Sequence, residues 1–308
     1  LTSLARTCSG IGDAIPTVLT MTVVPILGAG SSMADYRIGF KWWALIIAVV
    51  FVISELVCVA CVPERPVACD EKPGKISDMF KALFKNDQAM TVVVSIILVY
   101  TSLNICGNLV LYFFRFDVGN EGAYSIFAAV AFAAQVLVMM VIPLLRKRFS
   151  KSQLFISGFI IQIAGFAVIL IMAFAKLYTP QSWYILCLPG ILIYLGYGML
   201  NVIMTIFLSD SVDYGEVMNG TREESVIFSM QTFTVKLASG VAVFLAGLVV
   251  DWIHLDTAAA VQTQDTLDAL RMWMTIPSVI LLIVGIFVFK RFYKLDDTRM
   301  EEIKSKLN

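Results

Sequence analysis

Lys236 is a charged residue inside a long apolar segment, and a charge in such a place needs a compensating partner. Steps of four, three, four and three residues separate Ser225, Ser229, Thr232, Lys236 and Ser239, which places them on one face of a helix. An unpaired ammonium within a bilayer costs at least about 2.5–3.5 kcal/mol on insertion scales. We therefore expect Lys236 to be buried beside a carboxylate, a substrate or a water-filled pore.

Three further apolar segments carry polar stripes. The stripes comprise Arg6, Ser9, Asp13, Thr17 and Thr20; Thr101, Asn104 and Asn108; and Tyr194, Tyr197, Asn201 and Thr205. Polar side chains within a bilayer usually face the bundle interior or a water-filled cavity. The four stripes together predict a hydrated central cavity, suited to a polyhydroxylated ligand. For any single Ser or Thr, the alternative is a hydrogen bond to its own backbone or to a neighbouring helix.

Several charged residues leave alternatives open. Arg6 either lines the cavity or snorkels to the nearer membrane surface. Glu55 is either a proton site or a snorkelling residue, and we favour the second. Asp13 receives no role beyond its place in a stripe.

An acid-rich stretch separates the last two of these polar segments. It holds Asp210, Asp213 and Glu216, followed by Arg222. The simpler interpretation is a solvated loop. The density of acids beside one arginine at a helix–helix turn favours an ion-pair gate that closes in one state of a rocking protein and opens in the other.

The elements that position these residues are membrane-spanning helices. The chain is 59% hydrophobic and 15% charged, whereas soluble domains have about 45–50% apolar and about 25% charged residues. Each of eight apolar blocks supplies the about 20 residues that a spanning helix needs: 5–27, 41–62, 91–114, 122–145, 153–175, 183–208, 226–252 and 272–293. Because these runs are too long and too uniformly apolar for barrel strands, the sequence predicts an all-α polytopic membrane protein.

Positive charge is concentrated on one side of the membrane. That side holds Arg65, Lys72, Lys75, Lys81, Lys85, Arg146, Lys147, Arg148, Lys151, Arg222, Lys290, Arg291, Lys294, Arg299, Lys304 and Lys306; the other holds Arg37, Lys41, Arg115, Lys176 and Arg271. The positive-inside rule therefore predicts a cytoplasmic C-terminus. A net charge of zero argues against a nucleic-acid partner. We find no metal-ligand cluster and no convergent nucleophile and base, so we expect no enzyme activity, no metal and no cofactor.

A proline-containing, mixed-charge stretch divides the chain. Residues 1–62 form two helices, 63–90 a cytoplasmic linker with an amphipathic surface helix, 91–293 a six-helix bundle and 294–308 a cytoplasmic tail with a short helix. Because the chain begins with Leu1 and only two helices precede the linker, we expect earlier helices to be missing.

Five motifs resemble those of one transporter family. They are Asp210-Ser-Val-Asp-Tyr-Gly-Glu216, Arg222-Glu-Glu-Ser225, Gln231-Thr-Phe-Thr-Val-Lys236, Phe84-Lys-Asn-Asp-Gln88 and Arg291-Phe-Tyr-Lys-Leu295. They resemble the glycoside–pentoside–hexuronide:cation symporters, the melibiose-permease-like members of the major facilitator superfamily. The resemblance covers nearly the whole chain. It implies a truncated major facilitator fold, with the last two helices of the N-terminal bundle and the complete C-terminal bundle, lacking about the first four helices.

The resemblance also implies roles for single residues. Arg6 matches an arginine that contacts sugar hydroxyls, and Gln231, Thr232 and Lys236 match positions near the sugar and the cation. Asn201 stands where melibiose carriers have a tryptophan, which puts a melibiose-type substrate in doubt.

For the acid-rich stretch, the resemblance implies a lock that closes the inward gate, with Asp210, Asp213 and Arg222 as its members. Glu216 is added to the predicted gate because it lies in the same acid-rich stretch. The family's cation-binding carboxylates lie on helices absent here, so the identity of the ion, sodium, lithium or proton, stays open.

The implied function is sodium- or proton-coupled sugar symport by alternating access. The implied setting is a monomer in the bacterial inner membrane, with a sugar, a coupling cation and membrane lipid as partners. The alternatives are a sodium-coupled lysolipid-type transporter, which predicts a long apolar groove instead of polar stripes, and a non-transporting membrane sensor or scaffold.

Overall fold

The computed structural model describes residues 2–30, 33–61, 81, 84–220, 224–257, 259 and 261–307. Within these ranges the chain forms helices and connecting turns, and no strand. The helices are α1 (Thr2–Gly28), α2 (Met33–Cys61), α3 (Asp87–Tyr112), α4 (Ala123–Leu145), α5 (Lys151–Phe174), α6 (Cys187–Asn219), α7 (Glu224–Trp252), α8 (Gln264–Phe292) and α9 (Asp297–Leu307).

Of the helices described, seven are long and apolar enough to cross a membrane, and α1 makes up to eight if its two parts form one span. The two parts, Ser3–Thr20 and Thr22–Gly28, meet at 50°. Pro25 lies inside the helix and has no backbone N–H for the carbonyl four residues earlier, which weakens the helix at the bend. The all-α polytopic membrane fold is thus confirmed.

Helix α3 begins earlier than the sequence predicted, at Asp87 instead of residue 91. Asn86 is the reason, since its side chain accepts a hydrogen bond from the N–H of Ala89 at 2.9 Å and donates to the carbonyl of Ser211 at 2.7 Å. The end of the 63–90 segment therefore belongs to the bundle. Most of the amphipathic helix predicted there lies outside the described residues.

Helices α3 to α8 enclose one core of interlocking aromatic rings. Phe155 of α5 packs edge-on to Phe207 of α6 and lies 4.5 Å from the Phe289 ring of α8, centroid to centroid. Helices α5 and α6 approach closely because Gly196 has no side chain; a Cβ there would lie 2.6 Å from the carbonyl of Gly158. This packing fixes how each spanning helix is rotated, and hence which side chains meet.

Helices α1 and α2 lie beside this bundle. Helix α1 packs on α4, and α2 packs on α1, where Trp43 donates to Thr20 Oγ1 at 2.8 Å. Most other side chains of α2 are exposed, including Phe51 and Val59.

The short helix predicted in the tail is α9. Leu295, Met300 and Ile303 are buried and pack against Tyr214 and Val217 of α6. An apolar stripe inside a polar tail therefore docks α9 against the end of the bundle.

Candidate functional site

A cavity of about 690 Å³ opens between α1, α3, α4, α6 and α7. Three of the four predicted stripes supply much of its wall. The polar lining consists of Arg6, Ser9 and Asp13 from α1; Tyr100, Asn104 and Asn108 from α3; Tyr124 and Gln135 from α4; Tyr194, Tyr197 and Asn201 from α6; and Ser239 from α7. The polar chamber expected from the stripes is present, with α1 on one side and the bundle on the other.

Arg6 faces this cavity and is held across it. Its Nε donates to Thr205 Oγ1 at 3.0 Å, and that hydroxyl donates to the carbonyl of Asn201 at 3.1 Å. The contact joins α1 to α6, so of the two alternatives for Arg6 the structure adopts cavity lining.

Asn201 is the centre of an aromatic and amide group. Its Nδ2 lies 2.8 Å from the hydroxyl of Tyr100 and 3.4 Å from that of Tyr197. The two phenol rings meet edge to face with centroids 5.6 Å apart. A planar amide and two ring surfaces thus lie together in the cavity wall.

Two buried acceptors in the wall have no hydrogen-bond partner among the described atoms. They are the side-chain oxygens of Asn201 and Gln135, on α6 and α4. A buried acceptor left unpaired costs about 1–3 kcal/mol. A ligand bearing hydroxyl donors would remove that cost at both positions.

The side-chain amides of Asn104 and Asn108 both donate hydrogen bonds to the backbone of their own helix. Their Nδ2 atoms each donate at 2.7 Å to a carbonyl one turn earlier, those of Tyr100 and Asn104. These bonds fix the two side chains in the cavity wall and leave the amide oxygens as acceptors.

Helix α7 contributes less to the wall than its stripe predicted. Val235 and Ser239 line the cavity, whereas Thr232 is exposed and donates to the carbonyl of Phe228 at 3.3 Å. The Thr232 hydroxyl therefore bonds to the backbone of its own helix, which was the alternative to lining the cavity. Gln231 is buried and lies outside the cavity lining.

Lys236 is exposed, so the expectation of a buried ammonium is wrong. Helix α7 turns its apolar and small residues, such as Ala238 and Ala242, into the bundle, and Lys236 lies to one side of that face. Its charge nevertheless acts on the carboxylate of Asp13 in the cavity wall, as does the charge of Arg6.

At the predicted cytoplasmic end, Asp210 forms a buried ion pair with Lys151 at the start of α5. Lys151 Nζ also lies 3.5 Å from Oδ1 of Asp297, which in turn lies 3.4 Å from Nη2 of Arg146. This cluster joins α5, α6 and α9. Arg222, the predicted partner, lies outside the described residues.

Asp213 and Glu216 lie on the same helix as Asp210, at the same end. Both side chains are half-buried. The predicted gate residues of α6 are therefore close together.

The comparison with known families decides the identity of this architecture. The family model described as MFS/sugar transport protein matches residues 1–297, almost the whole chain. The chain belongs to this family. Its members are transporters, so this family protein is a multi-pass membrane protein and not an enzyme. The resemblance to the glycoside–pentoside–hexuronide symporters is confirmed.

Three relatives illustrate the family. The chain is 24% identical to the raffinose carrier protein of Pediococcus pentosaceus over 99% of its own length and 47% of that protein. It is 24% identical to the isoprimeverose transporter of Lactiplantibacillus pentosus over 96% of its length and 60% of that protein. It is 23% identical to the lactose permease of Lactobacillus delbrueckii subsp. bulgaricus over 99% and 48%. The chain thus spans about half the length of these family members.

Sequence reasoning missed two groups of residues in this family protein. Gln135 and Tyr100 line the cavity, but neither belonged to a predicted stripe. A lone glutamine in an apolar span was the available signal for Gln135, since an amide in a membrane needs a partner. Lys151 and Asp297 were counted as loop and tail charges, and nothing in the sequence pairs them with Asp210.

Proposed function

We propose that the protein is a cation-coupled sugar symporter that binds its sugar in the cavity between α1 and the bundle. The unpartnered amide oxygens of Asn201 and Gln135 carry this proposal, because neutral buried acceptors on facing helices suit the hydroxyl donors of a sugar. The cavity volume of about 690 Å³ is within the range of small-molecule sites.

Alternating access is the proposed mechanism. The wall of the cavity is shared between α1 and helices of the bundle, and the Arg6–Thr205 bond crosses between the two sides. Rocking one side against the other would break this bond and open the cavity to one face of the membrane at a time. The Asp210–Lys151 cluster, with Asp213, Glu216 and Arg222, is the proposed gate at the cytoplasmic end.

Coupling is proposed to act through Asp13. Its carboxylate experiences the positive charges of both Arg6 and Lys236. A sodium ion or proton bound nearby would change this balance, and Lys236 would transmit the change to the sugar-contacting side of the cavity. Thr232 and Gln231, on the same helix, are proposed to assist. Such coupling is reciprocal, so sugar binding would strengthen cation binding equally.

The proposed setting is a monomer in the bacterial inner membrane with a cytoplasmic C-terminus, as the charge asymmetry of the loops predicts. The names of the relatives suggest raffinose, isoprimeverose and lactose as the first sugars to test.

The deciding experiment is uptake of labelled sugars into proteoliposomes containing the protein, with and without an inward sodium or proton gradient. We expect at least one glycoside, pentoside or hexuronate to accumulate only when a gradient is present. An excess of the same unlabelled sugar should reduce this uptake. Uptake of labelled lysophospholipid instead would favour the lysolipid carrier. Binding without any uptake would favour a sensor.

A further inference from the structure

We propose a binding site for one anionic phospholipid on the outer surface of the bundle, separate from the sugar cavity. It combines a basic pocket at the predicted cytoplasmic end with an apolar groove that begins at that pocket. The proposal does not depend on sugar transport, and its failure would leave the sugar site untouched.

The pocket, about 490 Å³ in volume, lies between the α4–α5 turn and α9. Five cationic side chains line it, against the acids Asp297 and Glu301: Arg146, Lys147, Arg148, Lys151 and Lys304. Arg146 and Lys151 already contact Asp297. The charge of the pocket therefore exceeds what its own acids neutralise.

Three of these cations have no acidic partner within 4 Å in the described part of the chain. Lys147, Arg148 and Lys304 are exposed and converge on the pocket from the turn and from α9. Such a concentration of exposed positive charge attracts a phosphate group.

An apolar groove of about 530 Å³ continues from this pocket along α4, α5 and α6. Phe149 lines both the pocket and the groove. The groove extends to Val138 and Leu195, which also line a second groove of about 560 Å³ farther along the same surface. The polar pocket and the apolar grooves therefore form one continuous surface feature.

The dimensions fit a lipid in one leaflet. Within α4, from Leu145 back to Val138, the chain rises about 10 Å at about 1.5 Å per residue, so this groove fits within half of a bilayer core, which is about 15 Å thick. A headgroup in the pocket thus places an acyl chain in the groove. Basic pockets at the cytoplasmic ends of spanning helices are suited to anionic headgroups.

The test is native mass spectrometry of the purified 308-residue chain in detergent, titrated with long-chain phosphatidylglycerol or phosphatidylcholine. We expect preferential retention of phosphatidylglycerol. The variant K147Q/R148Q/K304Q should weaken this binding by about fivefold for each charge removed. The matched control K290Q/R291Q/K294Q removes three exposed cations at the same end but outside the pocket, and should bind as the parent does.

Two further measurements separate a lipid from a free anion. Filling the groove with Ser157→Trp should weaken phosphatidylglycerol binding while the thermal melt stays within a few degrees of the parent. Inorganic phosphate should compete poorly. Equal losses in the pocket and control variants, equal binding of the two lipids, or full competition by inorganic phosphate would each overturn the proposal.

Discussion

The guanidinium of Arg271 binds the carboxylate of Asp117 at two points, Nε to Oδ2 at 2.9 Å and Nη2 to Oδ1 at 2.5 Å. Both side chains are almost completely buried. Tyr178 donates to Oδ2 of Asp117 at 2.5 Å, and Arg271 Nη1 also contacts Asp268 at 2.7 Å. Burial and the negative charge of Asp117 raise the pKa of Tyr178, which keeps its hydroxyl protonated as a donor.

This network joins the end of α3, the start of α8 and the loop after α5, at the opposite end of the bundle from α9. Asp117 closes a five-residue π-helical turn, Phe113–Asp117, that continues α3. The network therefore connects the end of α3, the start of α8 and the loop after α5 at one point.

The first prediction concerns this ion pair. Asp117→Leu should lower stability by about 3–5 kcal/mol, because it leaves the Arg271 charge buried and unpaired. Thermal unfolding in detergent measures the loss. The exposed pair of Arg115 and Glu121, 3.8 Å apart, is the control, and Arg115→Gln should cost at most about 1 kcal/mol. The double variant D117L/R271M should recover much of the stability; if it is as unstable as Asp117→Leu, the unpaired charge is not the cause.

The second prediction concerns the amide oxygens of the cavity. Gln135→Leu should weaken sugar binding by about tenfold, the equivalent of one hydrogen bond of about 1.4 kcal/mol. Gln162→Leu is the matched control, because Gln162 is also buried with both amide atoms unpartnered but lies on α5 outside the cavity lining. It should bind sugar normally and unfold at the same or a higher temperature. Isothermal titration with the transported sugar measures the affinity of each variant, and thermal unfolding measures its stability. Equal affinities in the two variants would remove Gln135 from the site.

The third prediction concerns Lys236. Lys236→Ala should abolish gradient-driven sugar accumulation, because it removes a positive charge that acts on Asp13. Ser229→Ala, an exposed change on the same stripe, should transport normally. Counterflow, which needs binding and rocking but no gradient, separates lost coupling from lost binding. Normal sodium- or proton-driven accumulation by Lys236→Ala protein would exclude the coupling role.

The fourth prediction concerns the pair of Lys151 and Asp210. Lys151→Gln leaves the buried Asp210 carboxylate without its ammonium, so the proposed gate should open and close at altered rates while sugar affinity changes little. Initial uptake rates and equilibrium binding distinguish the two effects. The exchange K151D/D210K should restore part of the parent rate, and Lys290→Gln, an exposed cation at the same end, should leave it unchanged. A changed affinity with an unchanged rate would contradict the gate.

The fifth prediction concerns pH and the docking of α9. Burial tends to raise the pKa of Asp297, but the charges of Arg146 and Lys151 outweigh it and hold the pKa below its usual value. A lowered pKa stabilises the folded state above the unfolded pKa of about 4, and this contribution is lost as the pH falls through the folded pKa. A spin label at Ser305→Cys should therefore become more mobile below about pH 4. In the Asp297→Asn background the label should be mobile both above and below about pH 4. If the mobility of the label in this background still changes with pH as it does in the parent, Asp297 is not the sensor.

The spanning architecture and part of the cavity could be predicted from local sequence. A helix needs a long apolar run to cross the hydrocarbon core of a bilayer, and its backbone groups bond within the helix itself. This requirement can therefore be recognised in the sequence of one segment, without knowing which helices pack beside it. Likewise, the period of a helix alone places Arg6 with Asp13 and Tyr197 with Asn201, and both pairs reach the cavity wall. Asn86, by contrast, extends α3 beyond its apolar run through a cap and a bond to the backbone of α6, which hydropathy does not register.

Which polar residues meet was decided by the tertiary structure alone. The pairs Asp210–Lys151 and Asp117–Arg271 join residues 59 and 154 positions apart, and no periodicity relates them. Lys236 is exposed because the small residues of α7 pack into the bundle and set its rotation about its own axis. A helix period fixes the angles between side chains on one helix, whereas packing against other helices fixes the direction in which the whole set points.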